Sequence, residues 1–417
     1  MPVDYVSRIV DQEVQELLAS AGAVVIDGPK ACGKTETARQ HAASEILLDT
    51  DPAAATAIAI DPNILLEGLA PRLLDEWQTY PVLWNHVRRE VDSRQRPGQF
   101  LLTGSATPID DRTRHSGAGR FATVQMRPMT LSELGSSTNA ISLKALLDGA
   151  AGRSADTSTS LDALIDEIIR GGWPGLRELT PERATRLTTT YLDRISRTDI
   201  TSVDGVRRNP EQVTAVMVSL ARNVGTQASL ASIAADVSGH GVAVSDDTTG
   251  EYIAALRRLM VVEDSPAWNT HLRSRHRLRT SPTRHFVDPS LAVAALGATR
   301  AQLRADLGAL GLLFESLVVR DLRVYAQPLG GGVYHYRDES GLEVDAIVDA
   351  GSAWGAFEIK LGVGQMDTAA ENLLQFAARV DTSVRGEPAV LAVIVGTGYG
   401  FVRADGVQVI PIGALGP

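Results

Sequence analysis

Eight residues from Gly28 to Thr35, reading Gly28-Pro29-Lys30-Ala31-Cys32-Gly33-Lys34-Thr35, carry the G-x-x-x-x-G-K-[ST] spacing of a loop that holds phosphates. Each part has a task. The loop amides cradle the anion, the Lys34 ammonium neutralises β- and γ-phosphates, and the Thr35 hydroxyl ligates Mg²⁺. An apolar run, Ala23 to Asp27, precedes the loop and a helical pattern opens at Lys34, so a helix N-terminus adds its dipole to the site. ATP with Mg²⁺ is the expected ligand of all eight residues. Hydrolysis needs more than a loop, and Arg72-Leu73-Leu74-Asp75-Glu76 supplies an acidic pair at a strand end. Asp75 is predicted to hold the metal and its water shell, and Glu76 to orient and deprotonate the attacking water. A further strand ends in Thr103-Gly104-Ser105, which places Ser105 as a candidate sensor of the γ-phosphate.

A second constellation lies in the last third of the chain. Asp345 sits in Gly341 to Val348, and Glu358-Ile359-Lys360 ends the next strand. With a side-chain period of two, Glu358 and Lys360 share one face while Phe357 and Ile359 take the other. A hairpin returning from Asp345 brings its carboxylate beside Glu358, so two carboxylates and a lysine converge. Lysine is scarce here: of 40 basic residues only 30, 34, 144 and 360 are lysines. A compact, rotatable point charge therefore survives at both candidate sites against an arginine-rich background.

The elements that must position these groups follow from periodicity. Alternating strands and helices from Ala23 to Met126 predict a parallel sheet. The Gly/Ser/Thr-rich stretch from Gly135 to Thr159, interrupted by a short helical run, reads as an exposed connection. Helical periods run from Leu161 to Ile200, broken at Gly171-Gly172-Trp173-Pro174-Gly175, and again from Pro210 to Val262. The latter order, three helices then a strand, is that of a winged helix-turn-helix, with Ser245 the expected N-cap of its third helix. From Gly311 onward a helix, three strands, a helix and a strand form a separate α/β pattern.

Composition narrows the classes. At 417 residues, 44% hydrophobic and 22% charged, the chain predicts several fully cored domains rather than disorder. One cysteine, Cys32, makes no internal disulfide, no apolar leader precedes the first motif, and no apolar run is long enough for a membrane; a cytoplasmic protein is expected. A net charge of −10 confines nucleic-acid contact to local basic patches. The dense patch is Arg273, Arg275, His276, Arg277, Arg279, Arg284 and His285, whereas Asp246, Asp247 and Glu251 on the third helix repel phosphates.

Taken together, Tyr5 to Asp11, the Gly28 loop, Leu73 to Gln78, Leu102 to Ser105, Ala118-Gly119-Arg120, Met126 to Glu133, Gly171 to Pro174 and Phe286 to Leu291 resemble a family of bacterial and archaeal AAA-type ATPases whose C-terminal half was long called a domain of unknown function. The resemblance covers nearly the whole chain and implies that Arg120 is an arginine finger or sensor. The C-terminal order resembles the PD-(D/E)XK restriction-endonuclease-like fold. That resemblance implies Mg²⁺ held by Asp345, Glu358 and an early acidic residue, Glu315, with Lys360 positioning water. The expected architecture is an α/β multidomain chain: an AAA-type P-loop domain (1–135), a linker and helical region (136–205), a winged-helix-like module (206–285) and a nuclease-like domain (286–417). The expected function is a Mg²⁺-dependent ATPase coupled to nucleic-acid binding or cleavage, DNA favoured. The alternative is a nucleotide-switched binding protein acting on a protein partner, with an inactive nuclease-like domain; a homo-oligomer is a further possible partner arrangement.

Overall fold

Residues 23–27, read Ala-Val-Val-Ile-Asp, show no polar alternation, which suits a strand covered on both faces. In the computed structural model, which describes residues 5–104, 116–157, 159–239, 241, 244–269 and 281–417, this strand lies within a parallel sheet, Val24 and Ile26 wholly buried. The chain divides into two compact units. The first comprises Met1–Pro128 with Asp199–Arg207 and Ala255–Met260; the second takes the remainder.

In the first unit β1 (Ala23–Asp27), β2 (Ser44–Leu47), β3 (Arg72–Asp75), β4 (Phe100–Gly104) and β5 (Phe121–Gln125) form the sheet in the order β2-β3-β4-β1-β5. Every pairing is parallel, so all five strands end on one edge. Insertion of β4 between β1 and β3 is what matters for the site. It sets the end of β4 between the loop that follows Asp27 and the acidic pair that begins at Asp75. Helices Lys34–His41 and Leu83–Arg94 belong to this unit. The latter buries Leu83, Trp84, Val87 and Val91, and its ring of Trp84 stacks on Phe121 with centroids 4.0 Å apart. Burial of each such side chain contributes about 1.5–3 kcal/mol.

The second unit joins helices to a mixed sheet. The helices include Leu161–Arg170, Pro181–Arg194, Pro210–Arg222, Leu230–Gly239 and Pro289–Leu296. A two-residue strand β6 (Ile141–Ser142) comes first, and a ribbon of β7 (Val262–Ser265) and β8 (Thr283–Phe286) pairs antiparallel. Ser245 accepts a hydrogen bond from the Thr248 amide (3.1 Å), as expected of an N-cap. Strands β9 (Gly332–Arg337), β10 (Glu343–Asp349), β11 (Trp354–Lys360), β12 (Val390–Val395), β13 (Phe401–Val402) and β14 (Gln408–Pro411) form a sheet ordered β13-β14-β12-β11-β10-β9. The hairpins β9/β10 and β10/β11 are antiparallel; β11, β12 and β14 run parallel. Helix Leu307–Ala326 packs across β9 to β11. A parallel N-terminal sheet, a helical middle and a C-terminal α/β region were each expected.

One expectation fails. The Gly135 to Thr159 stretch is not an exposed connection: Ile141, Leu143 and Leu146 are buried, and β6 pairs parallel with the last strand, β15 (Leu415–Gly416). Gln408 accepts from the Gly152 amide at 2.6 Å, and Ser137 donates to the Leu415 carbonyl at 2.7 Å. The apolar residues interspersed among Gly, Ser and Thr need a core, and the edge of β15 needs a pairing partner.

Candidate nucleotide site and carboxylate cluster

The loop after β1 turns through left-handed backbone at Ala31 (φ 64°) and Gly33 (φ 105°) before the helix opens at Lys34. Gly28 is required by a close approach: a Cβ there would lie 2.3 Å from the Met126 carbonyl oxygen, a backbone atom. Lys34 is 5% exposed, and its ammonium donates to the carbonyls of Gly28 (2.9 Å) and Pro29 (2.8 Å). Among the described residues no carboxylate lies within ion-pair distance of it. A buried cation held only by carbonyl dipoles is a charge waiting for an anion.

Thr35 donates from Oγ1 to Asp75 Oδ1 at 2.8 Å, and Thr103 Oγ1 donates to the same oxygen. Thr103 also accepts from the Glu76 amide at 3.3 Å. The helix that follows β1 and the ends of β3 and β4 thus meet on Asp75, as the strand order dictates. Glu76 stands in left-handed backbone (φ 54°), and the Gln78 side-chain amide donates to its carboxylate. Thr35, Asp75 and Glu76 are therefore gathered beside the phosphate loop, a set that fits Mg²⁺ and a nucleotide: a hydroxyl and a carboxylate in contact, next to an unneutralised cation.

The side chains of the other expected members are placed as follows. Lys30 points its ammonium to Asp199 Oδ1 at 2.7 Å. Cys32 is buried with Sγ 3.8 Å from the Met126 carbonyl. Ser105 lies outside the described residues. Arg120 precedes β5, where its carbonyl accepts from the Ala23 amide at the start of β1, while its Nε pairs with Asp92 at 2.8 Å. It thus stands at the opposite edge of the sheet from the loop, about 15 Å away at ~3.3 Å per strand residue. The structure does not bring it to its own phosphate loop.

Sequence reasoning missed two residues of this site. Arg8, 7% exposed, donates to the carbonyls of Cys32 (2.9 Å) and Arg127 (2.8 Å), fixing the loop's backbone to the chain after β5. Thr103 was passed over for Ser105; the signal available was that Thr103 is the polar side chain closing the apolar run from Phe100.

In the second unit Lys360 bridges two acids, with Nζ 2.8 Å from Asp345 Oδ2 and 2.6 Å from Glu358 Oε2. The Ala346↔Phe357 register sets Asp345 across from Glu358, and Asp345 Oδ2 also accepts from the Ile359 amide at 2.7 Å. Burial, then Asp345, pushes the Glu358 carboxyl up to about 8. The Glu315 carboxyl is raised well above the usual range, first by burial and then by Asp345. With three acids against one lysine, full ionisation would leave two uncompensated negative charges, which a proton or a bound cation would balance. Among the described residues the cation paired with the cluster is Lys360, and no group of three His, Cys, Asp or Glu is arranged around a metal position. Gly225 approaches this cluster closely; a Cβ there would lie 3.2 Å from Glu315 Oε1.

The basic stretch is corrected in part. Arg273, Arg275, His276, Arg277 and Arg279 lie outside the described residues. Arg284 donates to the Ala228 carbonyl, and His285 is 2% exposed with Nδ1 2.8 Å from Ser316 Oγ. Burial holds the His285 imidazole well below its ordinary pKa, so neither residue offers a free cation to phosphate.

The sequence marks at 129–133, 171–174 and 286–291 converge on a buried ionic knot. Arg320, 2% exposed, reaches Asp288 Oδ2 (2.8 Å) and Asp321 Oδ1 (2.8 Å). Asp288 accepts from the Gly172 amide (2.9 Å), Asp321 from the Leu131 amide (3.1 Å), and Trp173 donates to Ser290 (3.0 Å). These are ties of structure, not of chemistry.

Comparison with known proteins accords with the first site. Residues 20–135 match the model of a family described as an AAA domain. Residues 161–302 match a domain of unknown function (DUF8612), and residues 310–415 another (DUF4143). Two curated proteins, the uncharacterized Rv2008c of Mycobacterium tuberculosis and the uncharacterized Mb2031c of Mycobacterium bovis, are each 28% identical over 83% of this chain and 72% of theirs. Among solved structures, the Walker-type ATPase paby2304 of Pyrococcus abyssi is similar at a TM-score of 0.43 and 15% identity, over 70% of this chain and 96% of that one. The AAA match and the geometry around Lys34 and Asp75 together support a P-loop ATPase domain in the first unit.

Proposed function

We propose that the chain is a Mg²⁺-dependent ATPase whose nucleotide cycle is coupled to nucleic acid, DNA before RNA, through the second unit. The observation that carries the ATPase reading is the meeting of Thr35 and Thr103 on Asp75 beside the buried, uncompensated ammonium of Lys34. Lys34 and the loop amides bind and orient the polyphosphate, and Asp75 with Thr35 would hold the magnesium ion, which when bound neutralises phosphate charge. Glu76 takes the proton of the attacking water, and Gln78 sets where its carboxylate points. Arg120, at the far edge of the sheet, could serve only the nucleotide of a neighbouring copy, which makes a homo-oligomer part of this reading. No helix of the described residues is long and apolar enough to cross a membrane, and a cytoplasmic setting suits the single buried thiol.

In the second unit Asp345, Glu358 and Glu315 are not arranged around a metal position as they stand, so a nuclease role would require them to part from Lys360 and close on a divalent ion, with Lys360 then positioning water; the helices from Pro210 to Arg258 and the β7/β8 ribbon would serve as a winged-helix-like spacer. One observation favours the second reading, a nucleotide-switched protein acting on a protein partner: Lys360 already pairs with the two carboxylates that a metal would need. The test is phosphate release by wild type and Lys34→Ala, alongside cleavage of DNA and RNA with Mg²⁺ or Mn²⁺ by wild type and a Glu358→Ala, Lys360→Ala double variant. ATP turnover lost in Lys34→Ala with cleavage lost in the double variant supports the ATPase-nuclease. ATP turnover without cleavage of any substrate selects the nucleotide switch, and no turnover at all refutes both.

A further inference from the structure

Lys30 occupies a variable position of the phosphate loop, where the spacing asks for no base, in a chain with only four lysines. Its ammonium is 2.7 Å from Asp199 Oδ1, with the lysine side chain 45% and the aspartate 13% exposed. Asp199 lies well beyond residue 135, where the match to the AAA domain ends, yet it belongs to the same compact unit as the loop, together with residues 200–207. That segment is firmly seated: Ile200 is fully buried, Val203 is 5% exposed, and Asp204 pairs with Arg258 at 3.6 Å. The backbone arrives at Asp199 through a π-helical turn, Ile195–Asp199, a rare geometry that is concentrated at functional positions.

From this arrangement we propose that Asp199 is a positioning residue of the nucleotide site, holding Lys30 off the phosphates until a triphosphate competes for the ammonium. The proposal rests on the nucleotide-binding reading of the Gly28 loop. An ion pair this exposed is weak, so a polyanion in the loop draws the ammonium away from a single carboxylate. The carboxylate itself repels phosphate, and repels a triphosphate more than a diphosphate because the added group carries added charge. Binding of ATP therefore releases Asp199 from the loop and leaves residues 200–207 held by their own contacts alone, so that the segment reports which nucleotide is present.

The experiment is titration of the full chain with fluorescent ATP and ADP analogues in Mg²⁺, with hydrogen exchange of residues 200–205 as a second readout. Asp199→Asn should tighten ATP about three- to fivefold, the size set by an exposed pair, and ADP by less. In a Lys30→Ala background the same substitution should tighten ATP by less, because only the carboxylate's own repulsion is then removed, and Asp199→Glu, which keeps the carboxylate, should restore the wild-type ratio. In wild type, ATP should speed exchange in residues 200–205; in Asp199→Asn exchange should already be fast without it. An Asp199→Asn variant that binds both nucleotides as wild type does, or loses both equally along with thermal stability, overturns the proposal while leaving the nucleotide site intact. Wild type that binds no nucleotide, like Lys34→Ala, overturns the underlying reading instead.

Discussion

Lys34→Met should leave the nucleotide-free chain about as stable as wild type while abolishing its stabilisation by ATP. The ammonium is 5% exposed and held by two carbonyls, at 2.9 and 2.8 Å. Taking an ammonium out of water costs several kcal/mol, and each charge-assisted hydrogen bond returns about 1.5–3 kcal/mol, so the two effects nearly cancel. Methionine fills similar space without the charge, and the net change in the apo protein should stay within about 1 kcal/mol. A lysine in a buried salt bridge would behave otherwise, losing about 3–5 kcal/mol on truncation. ATP at a hundredfold excess over Kd adds about 2.7 kcal/mol to a binding-competent fold. For a unit of this size that is roughly 8 °C in Tm. Differential scanning calorimetry of both proteins, with and without Mg²⁺-ATP, separates the two quantities. An apo variant destabilised by more than about 3 kcal/mol would show that the ammonium is a structural tie. A variant that still gains the full shift would show that the phosphates bind elsewhere.

Glu76→Gln should keep nucleotide affinity and lower turnover by about 10²–10⁴-fold, read as phosphate release against fluorescent-nucleotide binding. Thr103→Val removes a donor from a buried carboxylate, and ATP turnover should fall about tenfold or more without loss of the fold, measured beside a circular dichroism melt. Arg320→Met strands two buried carboxylates and should cost about 3–5 kcal/mol in a urea melt, more than any surface arginine. Burial lowers the His335 pKa to about 4 from its usual 6.5, so the folded state stays neutral while the unfolded state takes up a proton. Stability is then fully present above pH 6.5 and falls by up to about 3 kcal/mol as pH drops toward 4; His335→Gln should flatten that slope in urea melts at pH 7.5, 6 and 5.

Much of the phosphate site was legible because its parts are local. Eight consecutive residues encode the loop, and the strand before it and the helix after it follow from apolar period. The C-terminal pair was legible for a related reason: two-residue alternation puts Glu358 and Lys360 on one face, and a short hairpin returns Asp345 to them. Gly135 to Thr159 misled because its composition is that of a loop, whereas its few apolar residues enter a core completed by the chain's last strand. Arg120 shows a further limit, since position in a sequence motif says nothing about which edge of a sheet a residue occupies.

By itself, then, the sequence determined which short segments are strands, which helix opens on a phosphate loop, and which acids and lysines are available to each site. Tertiary structure alone decided that β4 enters between β1 and β3, so that Thr103 reaches Asp75. It also decided that Arg8 ties the loop to Arg127, that Asp199 meets Lys30, and that Leu131 is bonded to Asp321 across 190 residues. The physical reason is range: spacing encodes what one strand, turn or helix can do, while strand order and long-range pairing are fixed by the burial of whole faces, to which each residue contributes only a part.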